Sequence, residues 1–86
     1  ATHSHQFAQV EGLVIDKKET GHNIWNLREA KGLSASELAE LMEFSVNNIY
    51  KWQNGQTLPT LDNLVALSGI LEVSINEIIV VREEQT

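Results

Sequence analysis

Three histidines and three evenly spaced glutamates are the side chains of this chain with the reach for metal or acid–base chemistry. His3 and His5 stand two apart, as two ligands on one stretch of backbone would, and His22 lies well beyond them. A metal centre needs three or four donors converging, yet the chain has no cysteine and no acidic residue completes the histidine set at ligand spacing. The His3-x-His5 pair therefore carries chance metal affinity at most, and neither a metal nor a cofactor is expected. Glu37, Glu40 and Glu43 recur every three residues, which lays them along one side of a helix as a solvated stripe instead of facing two carboxylates across a substrate. Gly-rich phosphate loops and nucleophile elbows are also missing. No catalytic residue is expected, and the chain is read as not an enzyme.

A different chemistry is concentrated between Ser34 and Pro59, where neutral hydrogen-bonding side chains crowd around two short apolar patterns. Ser34 with Glu37 has the Ser-x-x-Glu spacing of a capping box, in which each side chain satisfies a backbone N–H left orphaned at a helix start. Leu38, Leu41 and Met42 follow at helical spacing, with Ala39 beside them. After Glu43 and Phe44, Ser45 offers a second N-cap, and Val46, Ile49 and Trp52 share one face of the helix it opens. Gly55 sits where a left-handed C-terminal cap is wanted. Two helices so close in sequence cross steeply and leave one face of the second free, the outline of a helix-turn-helix that presents a helix to a DNA groove.

The flanking elements follow the same logic. Residues 1–19 read as a flexible or partly extended segment: ATHSHQ is polar, the chain does not begin with Met, and FAQVEGLVID is strand-like but broken by Gly12. From Thr20 a helical pattern runs through Ile24, Leu27 and Ala30 and stops at Gly32. Thr60 caps a fourth helix after Pro59, with Leu61, Leu64, Val65, Leu67, Ser68 and Leu71 as a broad apolar stripe. Ser74 and Glu77 repeat the capping-box spacing and open a fifth, Ile75 to about Val80. The expected fold is all-α: a compact five-helix domain over residues 20–80, with the helix-turn-helix at helices 2 and 3 and a tail at 81–86. The β-branched run Ile78 to Arg82 and the segment Leu13-Val14-Ile15 either pad the core or pair as a small ladder, within one chain or across a dimer.

Composition sets the limits. Eighty-six residues with 42% hydrophobic content support one core, and no separate effector domain is expected. No run of 18 apolar residues and no charged-then-apolar N-terminus occurs, so no membrane association is expected and a cytoplasmic location is. The net charge of −6, from 6 basic and 12 acidic residues, opposes nucleic-acid binding as a whole-chain average, and Lys51 is the one base between Ser34 and Thr57.

In order and spacing, these residues resemble the Xre family of phage repressor and Cro-like helix-turn-helix domains, over about Gly21 to Val80. The resemblance is carried by Ile24-x-x-Leu27-Arg28-Glu29-x-x-x-Leu33-Ser34, by Glu37-Leu38-Ala39, by Ile49-Tyr50-Lys51-Trp52-x-x-Gly55, by Pro59, and by Leu64-x-x-Leu67-Ser68 before Leu71-x-Val73-Ser74. It implies a repressor-like DNA-binding domain, usually a homodimer, that binds a double-stranded operator and regulates transcription. Carried over by position, the base readers are Ser45, Val46, Asn47 and Lys51. Asn47 can pair with adenine, Lys51 can donate to guanine, and Val46 can meet a thymine methyl or else join the core. Backbone contacts fall to Ser34, Ser36, Asn48, Tyr50, Asn54, Gln56 and Thr57.

Two positions depart from the family pattern. Ala35 stands where Gln is frequent and can reach neither base nor phosphate. Gln53 stands where Glu commonly pairs with the helix-one Arg, which leaves Arg28 freer to contact phosphate. The acidic balance keeps a second reading open, a protein-interaction module or antitoxin-type partner built on the same fold. The polar set Asn47, Lys51, Asn54, Gln56 and Thr57 favours DNA, as an inverted-repeat operator bound by a dimer joined through helix five, the Val80-Val81 tail and Leu13 to Ile15.

Overall fold

The computed structural model describes residues 12–84. Along them run β1 (Leu13–Ile15), α1 (Lys17–Ala30), α2 (Ala35–Leu41), α3 (Val46–Gln53), α4 (Leu61–Leu71), α5 (Ile75–Ile78) and β2 (Val81–Glu83). The expectations for ATHSHQ, for Phe7 to Glu11 and for the His3, His5 pair lie outside the described residues.

Five helices form as expected, and their starts are set by short polar side chains. Ser34 and Glu37 close a reciprocal capping box, with Oγ accepting from the Glu37 amide at 3.0 Å and the Glu37 carboxylate accepting from the Ser34 amide at 2.8 Å. Ser45 accepts from the Asn47 amide at 3.2 Å and Thr60 from the Asn63 amide at 3.3 Å. Ser74 donates from both its amide and its hydroxyl to Glu77. α1 begins at Lys17 instead of Thr20, because Asp16 caps it by accepting from the Glu19 amide at 2.9 Å. Thr20 is instead fully buried, and its hydroxyl accepts from the Val80 amide at 2.9 Å, fastening α1 to the chain leading into β2.

α5 is shorter than its sequence pattern. It stops at Ile78, and Asn23 on α1 donates its amide to the carbonyls of Glu77 and Ile78 at that end. The freed backbone then pairs with the start of the domain. β1 and β2 form an antiparallel ladder within one chain, Leu13 opposite Glu83, Val14 opposite Arg82 and Ile15 opposite Val81. The two β-branched segments therefore make a small sheet added to the helical fold.

The core takes Ile24 from α1, Leu38 and Ala39 from α2, Ile49 and Trp52 from α3, Leu64, Leu67 and Leu71 from α4, and Ile78 from α5. Each is the inward row of a helical repeat, and their burial removes the apolar surface that short helices cannot hide alone. Several expected members are not inward: Ala30 and Leu41 are exposed, as are Leu61 and Val65. Conversely Ile78, expected in an exposed dimer patch, is 0% exposed, and Ile75 and Ile79 are half-buried. Exposed apolar side chains lie instead on α4, at Leu61 and Val65, on the sheet, at Leu13, Ile15 and Val81, and singly at Trp25 on α1 and Leu41 on α2.

Candidate nucleic-acid interface

α2 and α3 are joined by a turn that reverses direction at Glu43, whose φ of 52° is left-handed. The Phe44 amide donates back to the Ala39 carbonyl at 2.9 Å, closing the end of α2 just before Ser45 caps α3. One side of α3 is fixed inward. Ile49 and Trp52 are buried, and the Trp52 indole stacks on Phe44 with ring centroids 5.3 Å apart. α1 crosses the far end of α3 at very short range: a Cβ built on Gly21 would lie 2.1 Å from the Trp52 carbonyl oxygen. Only a residue without a side chain fits there.

The opposite side of α3 is polar and open. Ser45, Asn47, Tyr50 and Lys51 are exposed, and Asn48 is half-buried. Asn47 and Lys51, four residues apart, stand one above the other on that side. Val46 is half-buried and packs against the core, leaving part of its side chain at the rim of the open side. The chain after α3 folds back on it: the Lys51 carbonyl accepts from the amides of Gln56 at 2.9 Å and Thr57 at 3.4 Å. Asn54, Gln56 and Thr57 are thereby held, exposed, at the C-terminal end of the open face. Ser34 and Ser36, also exposed, mark the start of α2.

Arg28 corrects the expectation that it is free to contact phosphate. It is 8% exposed, and its Nε donates to Gln53 Oε1 at 2.9 Å while Nη1 donates to the Leu33 carbonyl at 2.8 Å. The neutral amide of Gln53 does not release the guanidinium; it accepts from it, and a buried cation keeps whatever acceptors it has. Arg28 thus braces α1 against α3 and against the loop that enters α2. Ala35 is buried, presenting no polar group to the outside.

The electrostatics near α2 are acidic and locally ordered. The Ser34 backbone amide, and secondarily its hydroxyl, hold the Glu37 carboxyl below the usual carboxylate range. His22 lies exposed on α1, and among the described residues no three His, Cys, Asp or Glu side chains gather as a metal would need. No helix among them is long and apolar enough to cross a membrane.

One close approach had no local signal. The backbone of Lys18, at the start of α1, abuts Gly55: a Cβ on Gly55 would lie 3.0 Å from the Lys18 Cα, and the Gly55 φ of +74° already favours glycine. The N-terminus of α1 thus borders the loop that follows the outward helix, a proximity that residue spacing does not encode.

Two capped helices joined by a tight turn, the second with a polar side turned outward, define the helix-turn-helix class of DNA-binding fold. The helix-turn-helix family model HTH_3 matches residues 26–78, and the chain belongs to that family. It is 34% identical over 53 residues to the cryptic phage CTXphi transcriptional repressor RstR of Vibrio cholerae, covering 62% of this chain and 47% of that protein. It is 31% identical over 61 residues to the HTH-type transcriptional activator BcrR of Enterococcus faecalis, covering 71% of this chain and 30% of that protein. The chain therefore spans less than half the length of these curated relatives. The crystal structure of the restriction-modification controller protein C.AhdI from Aeromonas hydrophila superposes with a TM-score of 0.69 at 30% identity, over 73% of this chain and 96% of that one.

Proposed function

We propose that this chain is a sequence-specific, DNA-binding regulator of transcription that reads the major groove with α3. The observation that carries the reading is the uncovered polar row of Asn47 and Lys51, continued by Gln56 and Thr57, which are tied back to the Lys51 carbonyl. The Asn47 carboxamide has the paired donor and acceptor that adenine presents in reverse, and Lys51 donates to the acceptors of guanine. Ser45 and the exposed part of Val46 complete the reading end. Ser34, Ser36, Asn48, Tyr50, Asn54, Gln56 and Thr57 flank it on both sides and serve the phosphates, which set register without carrying sequence. Family membership and relatives named as a transcriptional repressor and a transcriptional activator support the same reading.

The chain acts as a two-fold dimer in the cytoplasm, on an inverted repeat whose half-sites lie about one helical turn, roughly 34 Å, apart. The exposed apolar residues Leu61 and Val65 on α4, with Leu13, Ile15 and Val81 on the sheet, supply the surface such a dimer needs. Repression is the mode proposed, since a dimer seated over a promoter excludes other proteins from the groove. Fluorescence anisotropy with random and genomic duplexes at two salt concentrations tests the reading. A salt-dependent complex that prefers certain fragments supports it; absence of binding to any duplex at low salt returns the fold to a protein-interaction role.

A further inference from the structure

A chain with a net charge of −6 must place its few cations with economy if it is to hold a polyanion. The six basic residues are Lys17, Lys18, Arg28, Lys31, Lys51 and Arg82. Arg28 is spent inside the domain on Gln53 and Leu33, and Lys31 pairs with Glu72 at 2.8 Å. Of the remaining four, Lys51 stands on the open face of α3. The other three come from both ends of the described chain, yet Lys17, Lys18 and Arg82 line one shallow concavity of about 530 Å³ that also includes Gly55.

The sheet makes this gathering. Pairing β1 with β2 sets Arg82 opposite Val14 on one face, while Ile15 and Val81 share the other. Arg82 is thereby carried next to the start of α1, where Lys17 and Lys18 are exposed. Lys18 in turn abuts Gly55, one turn beyond Lys51 and next to Gln56 and Thr57. These four cations thus follow one path, Lys51, the Gly55 loop, Lys18, Lys17 and Arg82, the last in a long ion pair with Asp16.

Two carboxylates share the concavity. Asp16 is engaged, capping α1 at the Glu19 amide and lying 3.5 Å from Arg82 Nε. Glu84 has no such role for its carboxylate among the described residues; its backbone N–H donates to the Gly12 carbonyl at 2.7 Å. Arg82 is held loosely, since its ion pair is long and its side chain is half exposed.

We propose that Lys17, Lys18 and Arg82 form a second phosphate-binding surface, which grips the DNA backbone beyond the stretch held by the helix-turn-helix. The proposal rests on the DNA-binding reading above and adds to it a set of cations outside the motif, built from the sheet and the start of α1. It adds to the single lysine of the motif three cations gathered beside the Gly55 loop, against the two carboxylates, Asp16 and Glu84, of the same concavity.

The test titrates a random-sequence duplex and a selected operator duplex with the chain and with Lys17→Gln/Lys18→Gln, Arg82→Gln, Glu84→Gln and Asn47→Ala variants, at several salt concentrations. Removing the lysines should weaken binding to both duplexes by the same factor. The slope of log affinity against log salt should become shallower by about 0.9 for each phosphate no longer neutralised. Glu84→Gln should strengthen both complexes, and because it removes no packing it keeps the test decisive if the double variant unfolds. Unchanged affinity and slope in the lysine, Arg82 and Glu84 variants, while Asn47→Ala still loses its preference for the operator, would overturn this surface and leave the DNA reading intact. If the unsubstituted chain binds neither duplex, the DNA reading falls and this surface with it.

Discussion

Arg28 and Gln53 meet inside the domain, the guanidinium Nε donating to the carboxamide Oε1 at 2.9 Å, and both residues are almost wholly buried. A buried cation on a neutral acceptor is tolerated when its donors are satisfied, and Nη1 finds the Leu33 carbonyl at 2.8 Å. The pair fixes the end of α3 against α1, so the position of the outward face depends on it. Gln53→Leu leaves the Nε donor without its acceptor and should cost about 1.5 to 3 kcal/mol. Gln53→Glu keeps the acceptor, adds the opposite charge, and should hold or raise stability. Denaturant unfolding of the two variants checks the order; equal stability of Gln53→Leu and the unsubstituted chain would show that the bond holds nothing.

What the sequence discloses follows from how local each determinant is. Ser34 with Glu37, and Ser45 at the head of α3, announce their helices because a cap and the amide it satisfies lie within three residues. Trp52 is legible as core because Val46, Ile49 and Trp52 share a face. The start of α1 is not legible because Asp16 and Thr20 are both residue types that cap helices, and a tertiary bond from the Val80 amide decides between them. Leu61 and Val65 fit the apolar spacing of α4 yet remain exposed, since a wide stripe does not say which of its edges meets a neighbour. The ladder between β1 and β2 joins distant ends of the described chain, so the residues offer it only as one of two alternatives, and the gathering of Lys17, Lys18 and Arg82 beside Gly55 that follows from it is written in no short window.

Gly21 marks the closest approach of α1 to α3. An added methyl would sit 2.1 Å from the Trp52 carbonyl oxygen and 2.9 Å from that of Gln53, both rigid backbone atoms. Gly21→Ala must therefore push the two helices apart, outweighing the small gain in helix propensity that alanine brings. A destabilisation of about 3 kcal/mol or more is expected. Thermal melting measures it, and a melting temperature equal to or above that of the unsubstituted chain would contradict the approach.

Acid should loosen α2 and the end of α4. The Ser34 amide and hydroxyl lower the Glu37 carboxyl, and the Lys31 hydrogen bond and charge lower that of Glu72. A carboxyl whose folded value is depressed contributes stability that is fully present above its unfolded value, about 4.3 for Glu, and is lost as pH falls through the folded value. Stability should thus be flat toward neutrality from these two groups and decline below about pH 4. Glu37→Gln keeps a capping side chain without the charge, so it should flatten part of that decline. An identical acid limb in the variant, followed by circular dichroism, would remove Glu37 from the account.

Base reading separates from general affinity at two neighbouring residues. Asn47 and Lys51 are both exposed on α3, but the first is neutral and the second a cation. Asn47→Ala should cost about 1 to 3 kcal/mol on the preferred sequence and almost nothing on random DNA. Lys51→Ala should weaken both, and reduce the salt dependence. Equal weakening on every duplex for Asn47→Ala would show that it reads no base.

The assembly prediction turns on Leu61 and Val65, which are 80% and 62% exposed one turn apart on α4. Neither belongs to the core, so replacing both with Ser should leave the fold and its melting temperature nearly unchanged. A two-fold dimer through this face, joined by Ile15 and Val81 on the sheet, would bury side chains that otherwise meet water, and each favours association by roughly 1 kcal/mol or more when covered. The double substitution should therefore shift light scattering from dimer to monomer and shorten a nuclease footprint from two half-sites to one. Operator affinity should fall steeply although neither residue touches DNA, because each half then binds without the other. A footprint of unchanged length, with the chain monomeric in both forms, would move the dimer interface elsewhere or remove it.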